Sequence, residues 1–128
     1  MKDYKQYYII PEEPEFVYKA ILQENTFKLW TGKEAEITME VGTEFALFDD
    51  SIHGQNLHFE EFNEIVQQWY LQEIEKAEDA SIVSIKLFPH KKGTSLLLEQ
   101  NNIPDEMYDG MIDFWESNYM KSLIDFYK

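Results

Sequence analysis

The last third of the chain constrains the fold most, because it joins an apolar strand to one long amphipathic helix. Gly93 opens the strand GTSLLLEQ, a polar link ends at Pro104, and apolar residues then recur three and four positions apart to the C-terminus. That spacing places them on one helix face. They are Met107, Tyr108, Met111, Ile112, Trp115, Tyr119, Leu123 and Tyr127. A long helix laid on a curved sheet encloses a space, so the order indicates a binding or interaction fold more than a catalytic one.

The composition predicts that residues 1–128 form a single folded domain. The length of 128 residues is that of one ordinary domain, and 44% of the residues are hydrophobic. Disordered acidic chains lack aromatic residues, whereas 16% of this chain is aromatic. A core of ordinary size is therefore expected.

Charge and residue usage exclude several classes of function. The formal net charge is -14, and all eleven basic residues are lysines. Nucleic acids and anionic membranes would be repelled, so neither is an expected partner. The absence of cysteine excludes disulfides, thiolate metal sites and cysteine nucleophiles. The N-terminus has no apolar signal core and no apolar run is long enough to span a bilayer, so we expect a cytoplasmic protein.

The pattern along the chain predicts an α+β protein with an antiparallel sheet. Tyr7–Ile10 forms a first strand, and short helices follow over residues 14–22 and 25–30. Six more strands are predicted over residues 35–39, 43–47, 54–59, 65–71, 81–88 and 94–100, with a charged loop at 76–80. The long helix begins near Pro104. Gly110 interrupts its pattern, either because the helix approaches a strand closely there or by chance.

These pieces, in this order, resemble the helix-grip fold of the START and SRPBCC superfamily. Within it, the chain resembles the homologues of the activator of heat-shock protein 90 ATPase. The resemblance rests on Pro14 to Leu22, Trp30 before a glycine, Val41-Gly42-Thr43-Glu44-Phe45, the Gly54 strand, Ile65-Val66 before Trp69, Gly93-Thr94-Ser95-Leu96, Pro104, Trp115 and Leu123.

The resemblance implies a curved antiparallel sheet wrapped around the C-terminal helix, with two short helices after the first strand. Members bind lipids, polyketides, hormones or partner proteins, and some are cyclases, so the fold does not settle the function. The chain resembles the second domain of the two-domain activator. Chaperone binding and a role in the stress response are therefore implied, whereas direct stimulation of the ATPase is not expected.

Catalytic and metal chemistry find little support in the sequence. His53 and His58 lie five apart on one predicted strand, so they face opposite sides and cannot share a metal without a bulge. Glu60, Glu61 and Glu64 lie at a predicted solvated corner, where carboxylates lack the burial that acid–base work requires. No glycine-rich phosphate loop is present. We expect no metal and no cofactor.

The inward face of the predicted sheet supplies the candidate ligand-binding residues, although a plain core is the alternative and the better interpretation for most of them. Strand alternation places most of them inward, and the helix faces them. They are Phe45, Leu47, His53, Leu57, Phe59, Gln67, Trp69, Ile85, Leu96, Leu98, Gln100, Met107, Met111, Trp115 and Tyr119. Gln55, Gln67 and Gln100 share the inward parity, and buried glutamines need hydrogen-bond partners. They favour a water-filled pocket over a closed core, and exposure at a barrel edge is the alternative explanation.

Three hypotheses about function follow from this face. The first is a non-enzymatic module that binds a small apolar molecule between sheet and helix. The second is a protein-interaction domain with a filled core, which binds a chaperone through its acidic surface. The third is an enzyme of the polyketide-cyclase type, which would need a buried acid–base group.

Overall fold

The computed structural model describes residues 1–71 and 80–128. Six strands and two short helices precede a long C-terminal segment. They are β1 (Lys2–Ile10), α1 (Pro14–Leu22), α2 (Glu24–Thr31), β2 (Glu44–Leu47), β3 (Ile52–Glu60), β4 (Glu64–Trp69), β5 (Ser81–His90) and β6 (Gly93–Ile103). The C-terminal helix, residues 105–126, comprises a 3-10 turn (Asp105–Met107), α3 (Tyr108–Asp113), a π-helical segment (Phe114–Tyr119) and α4 (Met120–Phe126).

The strands form one antiparallel sheet in the order β1-β6-β5-β4-β3-β2. Strands β2 to β6 follow one another as a meander, and β1 pairs with β6 at the far edge. The C-terminal helix and α1 pack on one face of this curved sheet, which buries the apolar alternation of β5 and β6. The predicted α+β class, sheet and helix arrangement are confirmed.

Two predicted strands differ from the structure. β1 begins at Lys2 instead of Tyr7 and pairs along its length with β6. The predicted strand over residues 35–39 makes only an isolated bridge between Glu36 and Ala46, so the described sheet has six strands. Ala35 and Ile37 are buried against the core, so their alternation reflects burial without a strand ladder. Most of the predicted charged loop at 76–80 lies outside the described residues.

The two short helices fit against each other through one buried hydrogen bond. The indole nitrogen of Trp30 donates to the carbonyl oxygen of Ala20 at 2.8 Å. Proline opens α1, where a missing N–H is tolerated, and Gly32 ends α2 in the left-handed conformation with φ 73°. Phe27 of α2 is fully buried and packs against the Trp30 ring. The helices therefore close one end of the core.

The edge of the sheet near β2 depends on a glycine with no room for a side chain. A Cβ at Gly54 would collide with the carbonyl oxygen of Gln68 and the ring of Phe45. Gly110, in contrast, has open space at the corresponding point. The two positions therefore respond oppositely to the same added methyl group.

We predict that Gly54→Ala lowers the free energy of unfolding by about 2–3 kcal/mol, because overpacking shifts backbone or ring. Gly110→Ala, the matched control, should raise it by about 1 kcal/mol, because alanine is the better helix former. Urea denaturation of both variants measures the difference. Equal stabilities would contradict the packing described around β2 and β3.

Candidate functional site

The space between sheet and C-terminal helix is occupied by two stacked tryptophans. Trp69 lies at the end of β4 and Trp115 in the π-helical segment, and both side chains are almost fully buried. Their ring centroids are 5.1 Å apart with an angle of 30° between the planes. The pair joins the helix to the middle of the sheet.

The indole of Trp115 is anchored by a buried chain of hydrogen bonds. Its Nε1 donates to Oε1 of Gln100 at 2.7 Å, and Nε2 of Gln100 donates to Oγ of Ser81 at 3.0 Å. The Ser81 hydroxyl donates in turn to the carbonyl oxygen of Asn101 at 2.8 Å. Both ends of the Gln100 amide are therefore satisfied by protein atoms.

A second chain of the same kind anchors Trp69. Its Nε1 donates to Oε1 of Gln67 at 3.0 Å, and Nε2 of Gln67 donates to Oδ1 of Asn56 at 3.0 Å. Nδ2 of Asn56 reaches the carbonyl oxygen of Thr38 at 3.0 Å. The inference from Gln67 and Gln100 to a water-filled pocket is therefore wrong, because two indole N–H groups, the Asn56 amide and the Ser81 hydroxyl supply the hydrogen-bond partners.

Further aromatic side chains fill the space beside the tryptophans. Tyr119 lies 4.8 Å from Trp115 and 5.0 Å from Trp30, measured between ring centroids. Phe48 packs edge-on against Phe114 at 5.3 Å. Burial raises the pKa of the Tyr119 hydroxyl, which strengthens the preference for the protonated form that a tyrosine already has at neutral pH.

The structure places most of the predicted cavity residues in this packed core. Those that are buried are Phe45, Leu47, Gln67, Trp69, Ile85, Leu96, Leu98, Gln100, Met111, Trp115 and Tyr119. Leu57, Phe59 and Met107 are half-buried. Their side chains largely fill the space that they were predicted to line.

His53 was expected to point inward and does not. Its side chain is exposed, and Nε2 lies 2.7 Å from the carbonyl oxygen of Asp50. The register of β3 against β4 shifts between Asn56 and His58, so Leu57 is an extra residue in the ladder. Such a bulge inverts the alternation on either side of it, which explains why Phe59 packs inward while His53 does not.

An open groove of about 460 Å³ lies at the end of the core. The C-terminal helix forms one side of it, and the start of β3 and the end of β4 form the other. Its lining is mainly apolar: Ser51, Ile52, Trp69, Tyr70, Leu71, Met107, Gly110, Met111 and Phe114. Only Trp69, Met107 and Met111 of these belong to the predicted site. The apolar pattern of the sequence did not identify Ile52, Gly110 or Phe114 as lining residues.

A π-helical segment follows α3 in the C-terminal helix. The N–H of Met120 bonds to the carbonyl oxygen of Trp115, five residues earlier, which widens this turn. Phe114 lines the groove with Met107 and Met111, seven and three residues before it, so ordinary helical spacing places it there. Trp115 and Tyr119, four residues apart, lie in the core.

Gly110 leaves part of the groove wall without a side chain. A Cβ built at this position has no heavy atom within 4 Å other than the neighbouring backbone of its own helix. The suggestion that this glycine marks close approach to a strand is therefore wrong. The gap opens toward the groove, which Gly110 itself lines.

Comparison with known proteins gives a family and a fold. The family model for Activator of Hsp90 ATPase homolog 1-like protein matches residues 12–126. No curated protein sequence matches significantly. Among the described residues, no helix is long and apolar enough to cross a membrane.

Solved structures with the same fold include proteins from a parasite and from bacteria. PFC0360w, an Hsp90 activator from Plasmodium falciparum, superposes with a TM-score of 0.82 at 23% identity, covering 93% of this chain and 91% of that chain. Protein MLL2253 from Mesorhizobium loti gives 0.78 at 20% identity, covering 97% and 95%. The Aha1 dimer from Colwellia psychrerythraea gives 0.74 at 16% identity, covering 97% of each chain.

The hydrogen bond between Trp115 and Gln100 can be tested by a double-mutant cycle. We predict that Gln100→Leu lowers the free energy of unfolding by about 2–3 kcal/mol, because the Trp115 N–H and Ser81 lose their buried partner. In the Trp115→Phe background the same change should be milder by about 1 kcal/mol. Urea denaturation of the four proteins gives the coupling. Additive losses would show that the two side chains do not interact.

Proposed function

The chain belongs to the family of Activator of Hsp90 ATPase homolog 1-like proteins, and on that premise we propose that it is a non-enzymatic binding domain. Its ligand is a small hydrophobic molecule, and the binding site is the groove beside the C-terminal helix. We propose further that residues 1–128 form one domain and that the protein lies in the cytoplasm. The single observation that carries it is the open apolar groove of about 460 Å³.

The groove supports this function better than the centre of the fold does. In the centre, Trp69 and Trp115 stack and their N–H groups are already bonded, so a ligand would have to displace satisfied partners. At the groove, Met107 and Met111 offer flexible, polarizable side chains that adapt to different shapes. Apolar pockets of a few hundred cubic ångströms with few polar groups are typical of small-molecule sites.

The edge of the groove offers limited polar anchoring. The Ser51 hydroxyl donates to the carbonyl oxygen of Phe48 at 2.7 Å, which leaves its oxygen free to accept a further bond. Tyr70, whose side chain is exposed and carries a hydroxyl, is a lining residue as well. A ligand with an apolar body and one hydrogen-bonding group would fit this distribution.

We predict that Gly110→Leu weakens binding of a neutral apolar dye, such as N-phenyl-1-naphthylamine, at least tenfold, because the new side chain fills the groove. Gly110→Ala is the matched control and should bind within about twofold of the native protein. Dye fluorescence measures the affinity, and thermal unfolding verifies that both variants fold. Undiminished binding by the leucine variant would contradict the assignment of the groove.

A second candidate function is association with an Hsp90 chaperone through the acidic surface. It is favoured by the family itself, by the similarity to an Hsp90 activator of known structure, and by the net charge of -14. An acidic surface would steer a basic patch of the partner toward it, and added salt would screen the attraction.

We predict for this second function that affinity for a purified Hsp90 falls at least tenfold between 50 and 500 mM NaCl, while Gly110→Leu leaves it unchanged. Surface plasmon resonance with native and variant proteins measures both effects. Binding that resists salt, or that Gly110→Leu abolishes, would contradict association through the acidic surface.

A further inference from the structure

A second group of potential ligand side chains lies near the β3–β4 turn, on the sheet face away from the C-terminal helix. Ile65 and Ile85 point into the core, so their neighbours Glu64 and Lys86 point to the other face. His58 and Glu60 are exposed there as well, because they alternate with the inward Phe59. This location is separate from the groove.

The hairpin register brings three metal-ligating side chains together. Glu60 stands directly opposite Glu64, and His58 lies on the diagonal from Glu64. The bulge at Leu57 determines which residues of β3 point to this face of the sheet. One ligand atom from each of the three side chains lies within 4.8 Å of the other two. His58 Nε2 is 3.5 Å from Oε1 of Glu64.

The charges of this group are only loosely compensated. Two carboxylates directly opposite each other across a strand pair are destabilising. Among residues 1–71 and 80–128, the lysine within ion-pairing distance of the group is Lys86, whose Nζ lies 3.9 Å from Oε2 of Glu64, longer than a hydrogen bond. Nδ2 of Asn63 donates to Oε1 of Glu60 at 3.2 Å and so orients that carboxylate. A divalent cation would remove the repulsion that remains.

We propose that His58, Glu60 and Glu64 form a zinc-binding site. One imidazole nitrogen with two carboxylate oxygens is a ligand set that zinc accepts, and water would complete the tetrahedron. Magnesium and calcium prefer oxygen ligands alone, so the imidazole makes the site selective for zinc over these two ions. Ligands of tetrahedral zinc lie roughly 3.3 Å apart, from the usual bond lengths. The exposed side chains of His58 and Glu60 can rotate toward Glu64 to reach that spacing.

The test is a titration of the native protein with zinc chloride in a buffer that does not chelate metals. Isothermal calorimetry should give one site, with a Kd of about 1–100 µM, and the His58 ring nitrogens should shift in NMR spectra. His58→Gln should weaken zinc binding at least tenfold. His53→Gln is the matched control, because it removes an exposed histidine from the same strand outside the cluster, and it should have no effect.

Two further measurements complete the test. Lys86→Gln should bind zinc severalfold more tightly, because a cation that competes for Glu64 is removed. Magnesium should bind at least tenfold more weakly than zinc and should leave the imidazole signals unmoved. The proposal is overturned if zinc does not bind below 1 mM, if His58→Gln binds as the native protein does, or if His53→Gln loses as much affinity as His58→Gln.

Discussion

The stack of Trp69 on Trp115 is the contact on which the rest of the structure depends. One ring comes from the sheet and the other from the C-terminal helix, and each indole N–H donates to a buried glutamine of the sheet. The stack contributes apolar burial, and the hydrogen bonds fix the orientation of both rings. A helix held only by apolar contact could slide or rotate on the sheet, whereas these directional bonds allow one position.

Fixing the helix in this way decides where open space remains. The centre of the fold is packed with aromatic side chains, and the amides of Gln67 and Gln100 are bonded to protein groups. Beyond Trp69, the 3-10 turn and α3 extend past the end of β4, and the groove lies between them and the sheet. The C-terminal helix places Phe114 at the groove while Trp115 and Tyr119 stay in the core. The same helix therefore packs the core with one set of side chains and lines the groove with another.

Much of the fold could be predicted from the sequence because it depends on alternation and turn chemistry. The β5–β6 hairpin, the two short helices and the long closing helix all follow from such local signals. The errors arise where a single residue changes the phase. The bulge at Leu57 places His53 on the outward face, and neither strand propensity nor the apolar alternation of the sequence marks the position of the bulge. Residues 35–39 alternate in burial without pairing as a strand, which a sequence pattern cannot distinguish.

The candidate site was harder to predict than the fold, because a pocket depends on what is left unfilled. Inward residues were identified largely correctly, yet most of them fill the core and only three line the groove. The two glutamines show the reason: their partners are tryptophan N–H groups that become neighbours only in three dimensions.

Methyl-labelled methionine gives the most direct test of whether the groove, and not the centre of the fold, takes up apolar molecules. Met107 and Met111 line the groove, whereas Met120 is fully buried in the core and Met39 is exposed elsewhere. Titration with 1-octanol should shift the methyl signals of Met107 and Met111 and leave those of Met120 and Met39 in place. Shifts centred on Met120, or no shifts at all, would contradict the account.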